Sequence, residues 1–409
     1  MYRNLKNVNS SFVRDVNTNL VLNAIRQNRT ISRSDLARLT RLSYPTVTTI
    51  IKNLMAEGFV SEGQIGEYHG GRKPVLLEFN PVSRYVIGLD LSSTNAQAVL
   101  ADLDGNFLSE VIIGPQLTAD TNLVAVTVEV IEKLKAETGC TDDRLIGIGA
   151  SLRGSFDLPN KLFYYSENET NPIRLLEGLE EHYQAPIVMD HIANVALLTE
   201  RLYGVATEAS NIVFVNVGSG VSAGIMINGQ IFRGFLGNAG EIGHIIIEEH
   251  GPLCPDCGRR GCLENMASMY AIIGMACKEG YPFPTDLNIY QQLELLGLKA
   301  QQGDPAAQKC FDKAIRGLGE GITDLVNLLN CEVVILGGRV IRAYPEIVSA
   351  VNQMVTGQCW PFSRHNLSIM AASLSKDILL RGAISLVLDE VFIPYGISVN
   401  KSVILQNGE

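Results

Sequence analysis

At 409 residues the chain is long enough for two or three domains with substantial cores. It has no apolar run of 18 or more residues to span a bilayer, and its opening "MYRNLKNVNSSFVRDVN" lacks a signal-peptide core, so neither membrane insertion nor secretion is expected. The net charge of −10 is uneven: residues 1–80 hold eleven Lys/Arg against six Asp/Glu, and the remainder holds 22 against 37.

A basic head on an acidic body is the pattern expected where only the head meets nucleic acid, although the excess here is small. Of the eight cysteines five are scattered and three are clustered. That is not a disulfide framework, and it suits a reduced, cytoplasmic protein whose thiols are available to a metal.

In chain order, "NLVLNAIRQN" (19–28) places Leu20, Val21, Leu22, Ala24 and Ile25 at helical spacing. In "ISRSDLARLT", Ser32 stands as an N-cap with Asp35 three residues on, and Leu36 and Leu39 supply a buried face. After a short turn Ser43 caps a third helix, "YPTVTTIIKNLMAEG", with Pro45 tolerated in the first turn, Val47, Ile50, Ile51 and Leu54 facing inward, and Gly58 as the stop. The outward face of this helix carries Ser43, Tyr44, Thr46, Thr48, Thr49 and Lys52, small hydroxyls and a terminal amine suited to base edges and phosphates. Two short strands, 59–65 and 74–79, then flank a loop holding "GGRKP", where Arg72 and Lys73 would reach a minor groove. This reads as a winged helix-turn-helix contacting operator DNA. A three-helix bundle with a polar solvent face, followed by a hinge, is the plainer alternative.

From residue 85 the pattern becomes that of an α/β body in two lobes. "YVIGLDLSSTNAQAVLADLDGNFLSEVI" reads as a three-strand meander with turns at Ser92–Thr94 and Asp104–Gly105. Further strands are expected at 145–152, 185–190, 211–229 and 331–338, and amphipathic helices at about 121–138, 192–203, 264–278 and 307–330. Within this body His244, Cys254, Cys257 and Cys262 are spaced H-x9-C-x2-C-x4-C, a full tetrahedral set for one structural Zn²⁺ per subunit. His250 competes as a ligand but lies in the charged run "EEHG"; a chance cluster of buried thiols is the alternative to a metal site.

Two stretches, "GNAGEIGH" (237–244) and "CGRRGCLE" (257–264), resemble the signature of the ROK family of bacterial transcriptional repressors and sugar kinases, and the resemblance runs essentially end to end. It implies a two-lobed, actin-like, hexokinase-type ATPase fold behind the winged helix-turn-helix, with a sugar pocket in the cleft and a homodimeric or homotetrameric assembly. The domains would then be 1–80, the DNA-binding head and linker; 81–190, a first lobe completed by about 376–409; and 191–375, a second lobe with the zinc site and oligomer contacts. Family kinases need a glycine-rich first phosphate turn, which here is Asp90-Leu91-Ser92-Ser93-Thr94 with both glycines replaced. Gly218-Ser219-Gly220-Val221 and Gly337-Gly338 keep the other nucleotide-side turns in part.

Such kinases also need an aspartate base, which accepts the proton of the sugar hydroxyl. Aligned on "ANVALLTE", the base position is Ile192, with Asp190 two residues early. No kinase activity is therefore expected. The family's sugar contacts map onto His191, Glu241, His244 and Glu264, with Asn168 as the contact from the opposing lobe. The expectation is a sugar-responsive repressor of carbohydrate-utilisation genes. A DNA-binding sugar kinase using Asp190, or a repressor governed by a regulatory protein partner, is the alternative.

Overall fold

The computed structural model describes residues 10–65, 75–118, 120–164, 172–374 and 377–392. The head begins with α1 (Ser10–Asn28), which buries Val21, Leu22, Ala24 and Ile25. It starts well before the expected residue 19, because its first half carries too few apolar residues to register in an apolar count. A three-residue strand β1 (Thr30–Ser32), too short to show a period, leads into α2 (Arg33–Thr40), where Ser32 Oγ accepts the Asp35 N–H at 3.1 Å as the capping pattern predicts. Helix α3 (Tyr44–Ala56) is capped by Ser43, whose Oγ accepts the Thr46 N–H at 3.3 Å, and it buries the four expected apolar residues. Strands β2 (Val60–Ile65) and β3 (Val75–Phe79) pair antiparallel, and β1 joins the other edge of β3. Arg72 and Lys73 lie outside the described residues.

The body repeats one plan twice. In the first sheet β4 (Tyr85–Leu91), β5 (Asn95–Ala101) and β6 (Ile112–Gln116) form an antiparallel meander, and β7 (Leu145–Leu152) and β10 (Ile187–His191) extend it in parallel, in the order β10-β7-β4-β5-β6. The third strand starts at Ile112 rather than directly after Gly105. The cause is local: the Asp102 carboxylate accepts the N–H groups of Asp104 and Asn106, both at 2.9 Å, and prolongs the turn. Helix α4 (Leu123–Thr138), the short ribbon β8 (Ser155–Asp157)–β9 (Leu162–Tyr164) and α5 (Leu175–Glu180) cover this lobe, and α6 (Ile192–Tyr203) follows β10 directly. In the second sheet β11 (Ile212–Val217), β12 (Val221–Ile227) and β13 (Gln230–Ile231) are antiparallel, with β14 (Val333–Gly337) and β15 (Ser368–Ala371) in parallel beyond β11.

The expected helix 264–278 is two helices, α7 (Glu264–Ala267) and α8 (Met269–Lys278). Ser268 breaks it by taking an extended conformation and accepting the Ala271 N–H at 3.2 Å as a new N-cap. Helices α9 (Ile289–Gln301), α10 (Pro305–Leu329), α11 (Arg339–Ala343) and α12 (Glu346–Gln358) complete the second lobe, and α13 (Ile378–Phe392) returns to the first.

Strand alternation sorts the side chains into three cores. Ile212 and Phe214 of β11 face the central core, while Val213, Val215 and Val217 face the helices of the second lobe. The central core also takes Val86, Val99 and Ala101 from the first sheet, the inner faces of α6 and α13, and Val21, Ile25, Leu36 and Val47 from the head. Helices α6 and α13 are thus the middle layer between the sheets. Glycines permit the close approach: a Cβ on Gly149 would lie 1.8 Å from the Ala383 carbonyl, and one on Gly224 would lie 2.4 Å from that of Ala193. Among the described residues, no helix is long and apolar enough to cross a membrane.

Candidate functional site

Between the two sheets opens a cleft of about 1240 Å³. Its first-lobe wall is the Ser92–Thr94 turn, Arg153, and the junction of β10 with α6. The turn is drawn in on itself: Asp90 accepts Ser92 N–H at 2.9 Å, Ser92 Oγ–H at 2.6 Å and the Ser93 hydroxyl. Arg153, at the end of β7, reaches across to donate to Ser219 Oγ at 3.3 Å, in the second-lobe turn Gly218–Gly220.

His191 ends β10 and caps α6, its Nδ1 accepting the Ala193 N–H at 3.3 Å. The ring hydrogen then belongs on Nε2. Burial pushes the His191 pKa down to about 4, against the opposing pull of Asp190, so the ring is neutral near pH 7 and offers one donor. Ile192 follows it in the cleft wall. Asp190 is 5% exposed and fully engaged: Oδ2 receives Arg233 Nε at 2.9 Å and Nη2 at 2.7 Å, and Oδ1 receives the His191 N–H and the Asn194 amide, both at 2.8 Å. Arg233 escaped the sequence reading because it lies 43 residues away in a segment with no motif of its own.

The second-lobe wall presents Glu241, His244 and Glu264 together. Glu264 opens α7, and its Oε2 accepts the Val221 N–H at 2.8 Å. Burial, with the Asp256 carboxyl beside it, raises the Glu264 pKa to about 7 despite that N–H and nearby His244. Asn168 lies outside the described residues, so the opposing contact has no structural account.

Directly behind this wall, His244, Cys254, Cys257 and Cys262 bring their ligand atoms within 4.8 Å of one another, the one such group among the described residues. Cys254 Sγ is 3.8 Å from His244 Nδ1, and Cys257 Sγ is 3.5 Å from Cys262 Sγ. Bonds of about 2.0–2.3 Å in a tetrahedron put neighbouring ligands about 3.5–3.8 Å apart, so the spacing fits a metal. The sequence folds this way because Cys254-Pro-Asp-Cys257-Gly makes a tight turn, with Gly258 at φ +71°. The backbone N–H groups of Asp256 and Cys257 point at Cys254 Sγ, and that of Arg259 at Cys257 Sγ. Such donors stabilise thiolates. Although burial opposes ionisation, they and the Arg259 guanidinium bring the Cys257 pKa down to about 6. Nδ1 of His244 faces the thiols while the residue also lines the cleft, so one ring belongs to both sites.

On the head, α3 presents Ser43, Tyr44, Thr48, Thr49 and Lys52 to solvent, with Thr46 half-buried. Thr48 and Thr49 donate to the carbonyls of Tyr44 (2.9 Å) and Pro45 (3.0 Å), which turns their methyl groups and oxygen lone pairs outward.

The ROK family model matches residues 86–390, and a winged helix-turn-helix DNA-binding model matches residues 14–61. The chain belongs to the ROK family. Among its relatives the xylose repressor of Bacillus subtilis is 29% identical over 385 residues, covering 93% of this chain and 96% of that protein. The DNA-binding transcriptional dual regulator NagC of Escherichia coli is 28% identical over 390 residues, covering 93% and 94%. The crystal structure of a ROK family transcriptional regulator, a homologue of E. coli MLC protein, superposes with a TM-score of 0.78 at 24% identity, covering 93% of this chain and 97% of that one. A ROK hexokinase from Thermus thermophilus superposes with a TM-score of 0.60 at 27% identity and covers 74% of this chain. The ROK regulators therefore match over 93% of the chain, and the ROK hexokinase over 74% of it. The resemblance carried by residues 237–244 and 257–264, and the α/β architecture it implied, are both borne out.

Proposed function

We propose that the protein is a sugar-responsive transcriptional repressor of carbohydrate-utilisation genes, without kinase activity. One observation carries the reading. The match to ROK repressors spans 93% of the chain, head included, and the absence of a carboxylate at the expected base position supports the second half of the reading. Ile192 has no proton acceptor, and the Asp190 carboxylate is committed to Arg233 and Asn194. The Ser92–Ser93 turn also lacks the bare backbone that wraps a phosphate.

In this reading α3 enters the major groove of a pseudo-palindromic operator, with Tyr44, Thr46, Thr48 and Thr49 near base edges and Lys52 and the Arg72–Lys73 wing on phosphate or minor groove. A homodimer or homotetramer supplies the two heads. Glu241 and Glu264 accept from vicinal hydroxyls of the sugar, and His191 and the Nε2–H of His244, its Nδ1 being turned to the thiols, donate, with Asn168 as the contact from the opposing side. His244, Cys254, Cys257 and Cys262 hold Zn²⁺. Four protein ligands leave no open coordination position, so the ion supplies a crosslink that fixes the loop between Glu241 and Glu264.

The test is fluorescence anisotropy of the protein on DNA from its own upstream region, titrated at fixed salt with pentoses, hexoses, amino sugars and their phosphates. Xylose and N-acetylglucosamine head the panel because relatives are named as their repressors. Release by one sugar supports the reading. Tight binding that no sugar disturbs would replace the sugar with a protein partner, and sugar-dependent ATP consumption would make the chain a kinase.

A further inference from the structure

The head does not hang from a free linker. The end of α1 is seated on the body at Arg26, whose guanidinium lies 4.2 Å above the ring of Phe392 and whose Nε is 3.3 Å from Asp104 Oδ1. Arg29 binds the other Asp104 oxygen at 2.5 Å, and the Asn23 amide donates to the Phe392 carbonyl. Phe79, from the head's β3, meets the Phe392 ring edge-on at 6.2 Å. The Asp104 side chain is only 11% exposed and that of Arg26 25%, so their pairing and the Arg26–Phe392 stack are partly shielded from water and worth more than at a surface, whereas Arg29, 69% exposed, adds a surface pair. Three parts meet there: the head, the β5–β6 turn and the last residue of α13.

The other end of that joint leads to the cleft. Helix α13 is interlocked with α6: a Cβ on Gly382 would lie 2.4 Å from Thr199 Oγ1 and 2.5 Å from Val195 Cγ1. Thr199 Oγ also donates to the Ile378 carbonyl at 2.9 Å, and Ser385 Oγ to the Tyr203 hydroxyl at 3.3 Å. Glu200, buried on α6, accepts from the Leu374 N–H and the Ser373 hydroxyl, both at 2.9 Å, and so pins the segment that enters α13. Helix α6 itself begins at His191 in the cleft wall and rests on the second sheet at Gly224. Close-packed helices of this kind shift as a unit, because sliding one alone forces backbone into side chain. A displacement of α6 on ligand binding is therefore carried along α13, about 22 Å for fifteen residues, to Phe392.

We infer that α6 and α13 transmit the state of the cleft to the DNA-binding head, and that the Arg26–Phe392–Asp104 joint is where the head receives it. The coupling half of this rests on the sugar-responsive reading above; the joint itself does not. The test uses full-length Asp104→Ala and Phe392→Leu variants, with Arg26→Lys, which keeps the charge but loses the planar stack, as a milder third. Amide hydrogen exchange without sugar or DNA should show residues 21–26 exchanging at least tenfold faster in the first two variants, with α6 unchanged. In DNA-binding titrations the releasing sugar should bind each variant within twofold of wild type by calorimetry. Its effect on operator affinity should fall from the usual range of about 5–150-fold toward none. Wild-type exchange at residues 21–26 overturns the joint, and wild-type coupling with accelerated exchange overturns its role as receiver. If no sugar releases the wild-type protein, the sugar reading fails alone and hydrogen exchange still decides the joint.

Discussion

Replacing Cys257 by serine separates metal loss from packing loss. Cys254 and Cys262 are fully buried, so changing them would disturb the core, whereas Cys257 is partly exposed and its neighbours are the other ligands and Arg259. Structural zinc sites with four ligands bind with about 10–16 kcal/mol, or about 3 kcal/mol per ligand, so loss of this thiolate should weaken metal binding about 100-fold. Because the segment from Glu241 to Glu264 is tied at both ends to this cluster, the cleft wall should loosen with it. A chelator-competition titration with 4-(2-pyridylazo)resorcinol would read the metal affinity and stoichiometry, and calorimetry the affinity for the releasing sugar. One zinc per wild-type subunit, weaker zinc in the variant and reduced sugar affinity are expected. Full stoichiometry at wild-type affinity in the variant would refute the four-ligand assignment. Unchanged sugar binding by zinc-depleted protein would refute the brace.

Three further outcomes are expected. A Gly382→Val variant places atoms 2.4–2.5 Å from α6 where contact needs about 3.4 Å, so α13 must retreat by about 1 Å; the over-packing should cost about 1–3 kcal/mol and lower the melting temperature by several degrees, with zinc content unchanged. His191 is depressed to about 4 in the folded chain against 6.5 unfolded, so the unfolded state takes up its proton first and stability should fall as pH drops from 6.5 toward 4; His191→Gln should flatten that part of the stability-versus-pH curve, measured by denaturant titration. Lys52→Ala should weaken operator binding evenly across sequences and reduce the salt slope by about 1, whereas Thr49→Ala should change sequence preference, as anisotropy on variant operators would show.

Signals that act over a few residues were readable from the sequence. Ser32 with Asp35 and Ser43 with Thr46 form the expected caps, since a hydroxyl three residues ahead of a backbone N–H needs no tertiary help. The His–Cys cluster was legible for the same reason: four soft ligands fall within nineteen residues and close on one another through a single turn. What topology alone brings together was not legible. Arg233 reaches Asp190 across 43 residues and from the other sheet's side, and Arg26 of α1 meets Asp104 of the β5–β6 turn across 78, because tertiary packing sets these separate elements side by side. Helix α13 was missed for another reason. Leu380, Ala383, Ile384, Leu386, Val387 and Leu388 are buried around nearly its whole circumference, so it has no polar face to give a period.

The continuity of the central core makes the head a poor candidate for exchange. Val21, Ile25 and Leu36 share one apolar cluster with Val86, Val99 and Phe392 of the body. A chimera that grafted this operator-reading head onto another ROK body would expose that surface unless the new body carried the equivalents of Asp104 and Phe392. Head and body must therefore diverge together, and a change of operator is most easily made on the solvent side of α3, where Tyr44, Thr48 and Thr49 can vary without the joint knowing.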